Sequence, residues 1–362
     1  MIPLHQVFMP NGLDAGLSQV LHSGQIGYGE HTKLFEKNIQ TFIGNELFLS
    51  ISTNPVLVAL NLIGIKEGDE VIASPMSCLT TTQPIALLKA KVVWADIDPL
   101  TGTIDPNDVR KKITSKTKAI LHYHWGGYPG YIDEINEIGK SSGVFVIEEA
   151  SMAFGSEYKG KMLGNTGSDI VCFSFSPVRL PNTIDGAGLS FNCKRLLEKA
   201  YRYRDLGVDR STFRDELGEI SNLSDVCHAG NSSLLSNVSA FIGLQQMTHI
   251  NELLDKQRQN AKEWHGLLES EVSLGFLDDR KEIKANYWVF SFLIGDRNNW
   301  LTKFRESGYG ASKLHLRNDL YSVFNNQSNP ERLRGVDEFS MNQINIPSGW
   351  WVNPKDIACA KL

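Results

Sequence analysis

Short apolar runs alternate with stretches of helix length over the first half of the chain. The apolar runs have the length of buried strands and lie at residues 46–51, 70–73, 91–95, 119–123 and 144–149. Helices are predicted before and between them, at residues 11–22, 55–63, 80–88 and 132–141. Repeated strand–helix units of this length predict a mainly parallel sheet with helices on both faces.

The second part of the chain has a different order of elements. It is predicted to contain helices at residues 194–204, 236–249, 250–268 and 300–307, a strand at residues 287–294 and a last helix at residues 354–360. A long polar excursion separates the first two of these helices. We therefore expect a large α/β domain over residues 1–247 and a small α+β domain over residues 248–362.

Polar side chains follow two of the predicted strands at the point where each strand ends. The run at residues 144–149 ends in Glu148 and Glu149. A later apolar run is followed by Ser176, Arg179, a turn, two glycines and a second apolar run. Because open α/β sheets bind ligands at the carboxyl ends of their strands, these groups predict a ligand site.

The same segment carries a resemblance to a known family. Residues 173–188 read FSFSPVRLPNTIDGAG, which resembles the lysine loop of the DegT/DnrJ/EryC1/StrS sugar-nucleotide aminotransferases, roughly FSFHPxKNxxxGEGG. These are fold-type-I enzymes that use pyridoxal phosphate (PLP). The resemblance implies a three-layer α/β/α large domain with a mostly parallel mixed sheet and a small α+β C-terminal domain. It also implies a nucleotide-sugar ligand and a homodimer, because the family builds its site from two chains.

The lysine that carries the cofactor in this family corresponds to Arg179. A guanidinium stays protonated and offers no nucleophilic lone pair, so it cannot form a Schiff base. The resemblance therefore implies PLP as the cofactor, while Arg179 argues against covalent binding of PLP and leaves open that no cofactor binds.

Other positions of the family's cofactor site show a mixture of retained and changed residues. The aspartate that faces the pyridinium nitrogen corresponds to Glu149, which is one methylene longer. Ser52 and Thr53 match the turn that binds the cofactor phosphate, and Ser174 matches a hydroxyl that also binds it. Cys78 stands where the family has an aromatic residue over the cofactor ring, and Met152 stands beside the ring. Ser232 and Leu234 stand where the family has an asparagine and an arginine before the helix at residue 236. Ser52 and Thr53 are equally well interpreted as N-cap residues of the following helix.

Candidate substrate residues lie in two further segments. Gly27, Tyr28 and Gly29 belong to a glycine-rich loop like one that lies near the substrate in the family, although a plain helix–helix turn explains it equally well. His315 lies in a segment that resembles the family's substrate-reading strand. His124 matches a histidine that the family usually has at this spacing.

Three hypotheses for Arg179 remain open from sequence. In the first, the protein is a non-transaminating homologue that keeps a nucleotide-sugar cleft. In the second, it is an active PLP- or PMP-dependent sugar aminotransferase or keto-sugar dehydratase of surface-polysaccharide or modified-sugar synthesis, with His124, Glu148 or Glu149 moving protons. In the third, Arg179 only forms an ion pair with Glu149 or Asp185.

Composition excludes several other functions. The 362-residue chain has 41% hydrophobic and 21% charged residues, as in ordinary globular proteins, and a net charge of -5 without a basic block, which argues against nucleic-acid binding. No apolar run has the length of a membrane span, and the first residues do not resemble a signal peptide. The five cysteines lack metal-binding spacing, so we expect no metal site and reduced thiols in the cytoplasm.

Overall fold

Helices and strands alternate along the computed structural model, which describes residues 1–273, 275–277, 280–324 and 332–353. Within these ranges the α-helices are α1 (Leu13–His22), α2 (Glu30–Ile43), α3 (Pro55–Leu62), α4 (Leu79–Leu87), α5 (Pro106–Lys112), α6 (Ile132–Ser142), α7 (Lys194–Tyr203), α8 (Asn237–Met247), α9 (Ile250–Leu268), α10 (Arg297–Glu306) and α11 (Arg334–Asn342). The strands are β1 (Phe48–Ile51), β2 (Glu70–Ala73), β3 (Lys91–Trp94), β4 (Ile97–Asp98), β5 (Thr103–Ile104), β6 (Thr117–Tyr123), β7 (Phe145–Glu149), β8 (Glu157–Tyr158), β9 (Lys161–Met162), β10 (Ile170–Phe175), β11 (Gly186–Phe191), β12 (Gly275–Phe276), β13 (Ile283–Lys284), β14 (Phe290–Leu293) and β15 (Gln343–Ile346).

The central sheet has seven strands in the order β1-β11-β10-β7-β6-β2-β3. Neighbouring strands from β10 to β3 are parallel, and β11 is antiparallel to both β10 and β1. Six strands therefore run in one direction and β11 runs in the other. This topology confirms the mostly parallel mixed sheet.

Both faces of the sheet are covered. Ile120 and Leu121 are adjacent in β6, and they belong to two different clusters of buried apolar side chains. Successive side chains of a strand point to opposite faces, so each cluster lies on its own face of the sheet. The helices on either side complete the three α/β/α layers that the resemblance implies.

The helix after β1 begins with an asparagine cap. The Asn54 side chain accepts a hydrogen bond from the Leu57 backbone N–H at 3.0 Å, and Pro55 occupies the first turn. The alternative that Ser52 or Thr53 caps this helix is therefore wrong. Both residues lie in the bend between β1 and α3.

The C-terminal part contains a three-stranded sheet in the order β12-β14-β15. Its core includes Trp264, Phe292 and Phe304, from α9, β14 and α10. β14 begins later than predicted because Tyr287, with φ 52, leaves the extended conformation.

Two predictions for the end of the chain have different outcomes. Residues 311–316 form no strand, because Leu314 has φ 52 and only Ser312 bridges to Asn345 in β15. The helix predicted at residues 354–360 lies outside the described residues. The division into domains at residue 247 stays a prediction, although α8 ends there.

Candidate functional site

The carboxyl ends of β1, β2, β6, β7 and β10 meet at one edge of the sheet, where they surround a cavity of about 480 Å³. Five residues predicted from the sequence line this cavity together: Thr53, Cys78, Glu149, Ser174 and Arg179. Other lining residues include Tyr123, Ser151, Ser176 and Asp185. The volume lies in the range typical of small-molecule sites.

Arg179 lies in the loop between β10 and β11, in a turn closed by its backbone N–H and the Ser176 carbonyl at 2.9 Å. Its guanidinium carbon lies 4.3 Å from the centre of the Trp288 ring. The Nε and Nη1 atoms are buried without a hydrogen-bond partner. Burial lowers the pKa of Arg179, but a guanidinium remains a cation in this environment.

The structure does not form the ion pair expected between Arg179 and Glu149 or Asp185. Neither carboxylate has an oxygen within 4.0 Å of a guanidinium nitrogen of Arg179. Glu149 instead accepts hydrogen bonds from the backbone N–H and the hydroxyl of Ser151. Burial raises the pKa of Glu149, and Ser151 and Arg179 partly oppose this shift. The third hypothesis is therefore not supported by the geometry.

Two side chains from remote parts of the sequence hold the guanidinium in place. The Trp288 indole N–H donates to the Val178 carbonyl at 2.9 Å, which fixes the ring against the loop that carries Arg179. The His5 ring stacks on Trp288 with centroids 4.1 Å apart. Sequence reasoning did not identify Trp288 or His5, and neither residue lies in a motif that marks it.

His124 is buried on the opposite face of the sheet from Glu149. Its Nδ1 accepts from the Gly130 backbone N–H at 3.1 Å, so Nε2 carries the proton and donates to Glu148 at 2.9 Å. Glu148 also accepts from the Thr166 hydroxyl at 2.5 Å. Neither His124 nor Glu148 lines the cavity, so the structure does not place them where they could exchange protons with a ligand.

Met152, Ser52 and Ser232 also lie outside the cavity wall. Buried Met152 accepts a hydrogen bond from the Tyr123 hydroxyl at 3.0 Å. The Ser52 backbone N–H donates to the Ser233 carbonyl at 2.9 Å, and Ser232 bridges to Asp205. These contacts are made within the chain.

Tyr28 faces a second cavity, of about 660 Å³, which is also lined by Tyr201, Arg204 and Leu234. The Arg204 Nη2 atom lies 3.4 Å from the Tyr28 hydroxyl. The loop with Gly27 and Gly29 joins α1 to α2. It is thus a helix–helix connection that also contributes a side chain to a cavity. Of the predicted substrate residues Gly27, Tyr28, Gly29 and His315, only Tyr28 lines either of the two cavities.

His315 lies beside the first cavity, with Nε2 3.4 Å from the Tyr123 hydroxyl. The pKa of His315 is lowered to about 4, mainly by burial and secondly by the charge of Arg179. The pKa of His5 is also lowered to about 4, with burial the largest cause and Arg179 the next. Both rings are therefore neutral at pH 7.

These shifts give a direct test of the position of Arg179. In the variant Arg179→Gln, we expect the pKa values of His5 and His315 to rise but to stay below 6.5, because burial is unchanged. NMR titration of the ring signals measures both. In the wild type, His5 and His315 bind protons below pH 6.5 in the unfolded chain but only near pH 4 in the folded chain. The free energy of unfolding therefore decreases as the pH falls from 6.5 to 4. Unchanged pKa values in the variant would contradict the proximity of the guanidinium.

Comparison with known proteins connects this geometry to a family. A model of the DegT/DnrJ/EryC1/StrS aminotransferase family matches residues 12–359. The chain belongs to this family. The match spans both predicted domains, so the resemblance of the residue 173–188 loop extends to the chain as a whole.

Two similar proteins with solved structures share the fold of this chain, and a third protein is similar in sequence. A sugar aminotransferase, CalS13 from Micromonospora echinospora, is 26% identical with a TM-score of 0.92, over 99% of this chain and 97% of that chain. AtS13 from Actinomadura melliaura is 28% identical with a TM-score of 0.91, over 99% and 96%. GDP-perosamine synthase of Escherichia coli O157:H7 is 29% identical over 81% of this chain and 78% of its own length.

The cavity differs from a site that holds PLP covalently. Among the described residues that line it there is no lysine, and the wall includes Arg179, the residue that the sequence resemblance matches to the family's carrier lysine. Thr53 and Ser174 provide hydroxyls and Glu149 provides a carboxylate, but none of the described lining residues has an amine side chain. The residues present therefore do not fit a Schiff base with PLP.

Three further findings concern the described part of the chain. No helix there is both long and apolar enough to span a bilayer. No cluster of three or more His, Cys, Asp or Glu side chains there is arranged to hold a metal ion. Cys78, Cys172, Cys193 and Cys227 have free thiols.

Proposed function

We propose that this member of the family does not transaminate and binds a nucleotide sugar in the cavity beside Arg179. The observation that carries the proposal is the Arg179 guanidinium in a cavity wall whose described residues include no lysine. A protonated guanidinium supplies no free amine to a carbonyl, so the first step of the family's chemistry has no nucleophile.

The rest of the cavity supports a retained binding site. Thr53 and Ser174 still present hydroxyls, and helix α3 begins at the cavity wall with Pro55. Its N-terminal end favours anionic groups such as phosphate. The name of the similar GDP-perosamine synthase refers to a nucleotide-linked sugar, and this substrate class is the one that we assign to the present chain.

A homodimer is part of the proposal. Leu217, Ile220 and Leu223 are exposed in the excursion between α7 and α8, with Leu217 88% and Leu223 93% exposed. Apolar side chains grouped in one segment favour burial against a partner, here a second copy of the chain. Light scattering is expected to give twice the mass of one chain, and a monomer at micromolar concentration would refute this part.

The second candidate is an enzyme that uses another base with PLP or PMP. It is favoured by family membership and by Glu149, an ionisable group in the cavity wall with a raised pKa. His124 and Glu148 do not support it, because they lie outside the wall. Consumption of a keto sugar that depends on added cofactor and is lost in Glu149→Gln would favour this candidate.

Calorimetric titration with a panel of nucleotide sugars tests the proposed function. We expect binding of at least one member, with a dissociation constant in the micromolar range that is common for small-molecule substrates. We also expect no transfer of an amino group from glutamate when PLP is added. Absence of binding across the panel would contradict the nucleotide-sugar assignment, and amino transfer would contradict the loss of transamination.

A further inference from the structure

Among the residues that the structure describes, no carboxylate contacts the guanidinium of Arg179. Its Nε and Nη1 atoms are buried without a hydrogen-bond partner, and the described residues offer it no carboxylate within 4.0 Å. A buried cation without a partner is costly, and such groups in native proteins are normally paired. We propose that the ligand of this cavity carries an oxyanion, a carboxylate or phosphate, that pairs with Arg179. This inference rests on the proposed function in taking the ligand to be a nucleotide sugar.

The position of the cation is fixed before the ligand binds. The Trp288 ring lies against the guanidinium, and its indole N–H is anchored to the Val178 carbonyl. Stacking on an aromatic face holds a guanidinium in place without occupying its N–H donors. A preorganised donor loses less entropy on binding, which favours selective recognition of an anion.

The other charged groups around the cavity already have partners. Glu149 accepts from Ser151, and Asp185 accepts from the Ser239 hydroxyl at 3.2 Å. His5 and His315 are the remaining ionisable neighbours of Arg179 with a basic ring, and both are neutral at pH 7. Arg179 is thus the cation available to bind an oxyanion of the ligand. The carboxylates of Glu149 and Asp185 retain lone pairs that can accept hydrogen bonds from sugar hydroxyls.

Polar groups that suit an oxyanion line the same cavity as the guanidinium. Thr53, Ser174 and Ser176 carry hydroxyls in the same cavity wall, and the first turn of α3 also contributes to it. The Nε–H and the Nη1–H bonds point to different sides of the planar guanidinium, so satisfying both needs two acceptor atoms. An oxyanion engages one edge with two oxygens, accepting from Nε–H and Nη2–H or from Nη1–H and Nη2–H, whereas a single sugar hydroxyl accepts from one N–H bond.

The oxyanion has two sources in a nucleotide sugar, a carboxylate on the hexose or the diphosphate. Titration of matched ligands separates them. UDP-glucuronate differs from UDP-glucose by the carboxylate, and GDP-mannuronate differs in the same way from GDP-mannose. Free glucuronate against glucose, and inorganic phosphate, test the anion without the nucleotide.

Each ligand is titrated into the wild type, Arg179→Gln, Arg179→Lys and Arg334→Gln. Arg334→Gln is the matched control, because it removes the same charge from an exposed position at the start of α11, outside the cavity. Circular dichroism and thermal unfolding establish that each variant is folded. We expect Arg179→Gln to weaken binding of the anionic ligand at least ~10-fold, Arg179→Lys to weaken it less, and the control to bind as the wild type does.

The outcomes separate the two proposals. A preference for UDP-glucuronate or GDP-mannuronate that disappears in Arg179→Gln assigns the carboxylate. Equal binding within each pair, with an equal loss in Arg179→Gln, assigns the diphosphate. Wild-type affinity of Arg179→Gln for every ligand overturns the inference and leaves the nucleotide-sugar function intact. If no nucleotide sugar binds, that function fails. The inference then stands only if glucuronate or phosphate binds in a way that depends on Arg179, and it is overturned if neither does.

Discussion

Restoring the lysine by Arg179→Lys is expected to leave transamination undetected, with kcat below about 0.01 s⁻¹, whereas a typical enzyme turns over at about 10 s⁻¹. The substitution supplies an amine but does not change the other positions of the site. Turnover is measured by coupled detection of 2-oxoglutarate from glutamate with a panel of keto sugars and added PLP.

Four other residues of the site explain why one substitution is insufficient to restore transamination. Glu149 is longer than the aspartate that the resemblance places at this position, and it accepts a hydrogen bond from Ser151. Cys78 has no aromatic ring to cover a cofactor. The sulfur of Met152 already accepts a hydrogen bond from the Tyr123 hydroxyl. Ser232 is shorter than the asparagine that the resemblance places at this position. Small displacements of a reacting group lower rates by orders of magnitude, so these changes act together.

Arg179→Met is the control, since methionine provides neither an amine nor a cation at this position while keeping an unbranched side chain. It is expected to show the same background as Arg179→Lys. Turnover above about 1 s⁻¹ in Arg179→Lys alone would show that the rest of the site is competent, and the arginine would then be the single block to catalysis.

The largest expected effect on stability comes from Arg204. Arg204→Met is expected to lower the free energy of unfolding by about 3–5 kcal/mol, because it leaves the buried Glu36 carboxylate without its counter-charge. The two side chains are only 3% and 8% exposed, and Nη1 lies 2.5 Å from Glu36 and 2.8 Å from the Ser50 carbonyl. Glu36 also accepts from the backbone N–H and hydroxyl of Ser50. Urea unfolding followed by circular dichroism measures the change.

Arg202→Met is the matched control in the same region of the chain. Arg202 pairs with Asp209 at 2.8 Å, but its side chain is 60% exposed. Exposed pairs contribute about 0–1 kcal/mol, so this variant is expected to unfold close to the wild type. Equal destabilisation by the two substitutions would contradict a special role for the buried pair.

Local pattern was sufficient to predict the sheet and its ligand edge. Apolar runs of strand length gave strands close to the observed positions, and polar residues after them marked the cavity wall. Glu149 and Arg179 were predicted from this pattern, and Thr53, Cys78 and Ser174 from the resemblance. The five residues lie at or just after the carboxyl ends of four strands, β1, β2, β7 and β10, and parallel strands bring such positions together whatever their separation in sequence.

The alternation of strand side chains contained more information than the sequence interpretation used. Glu148 and Glu149 are adjacent in β7, so they point to opposite faces, and only Glu149 reaches the cavity. Similarly, Asn54 directly before Pro55 is a stronger cap signal than the hydroxyls of Ser52 and Thr53.

Other features depend on packing between distant segments and had no local signal. Trp288 and His5 approach Arg179 because the chain start and the segment before β14 pack beside the β10–β11 loop. The expected ion pair of Arg179 was inferred from charge alone, whereas Ser151 already satisfies Glu149. Side chains of the same site compete for partners, and that competition is decided by tertiary geometry.

Trapping with borohydride tests the central claim most directly. The purified protein is incubated with PLP, reduced, digested and analysed by mass spectrometry for pyridoxyl-lysine. We expect no lysine to carry a stoichiometric adduct, and only the low scattered labelling that surface lysines give. One lysine modified in an equimolar amount, protected by a nucleotide sugar, would contradict the claim that this site has no carrier for the cofactor.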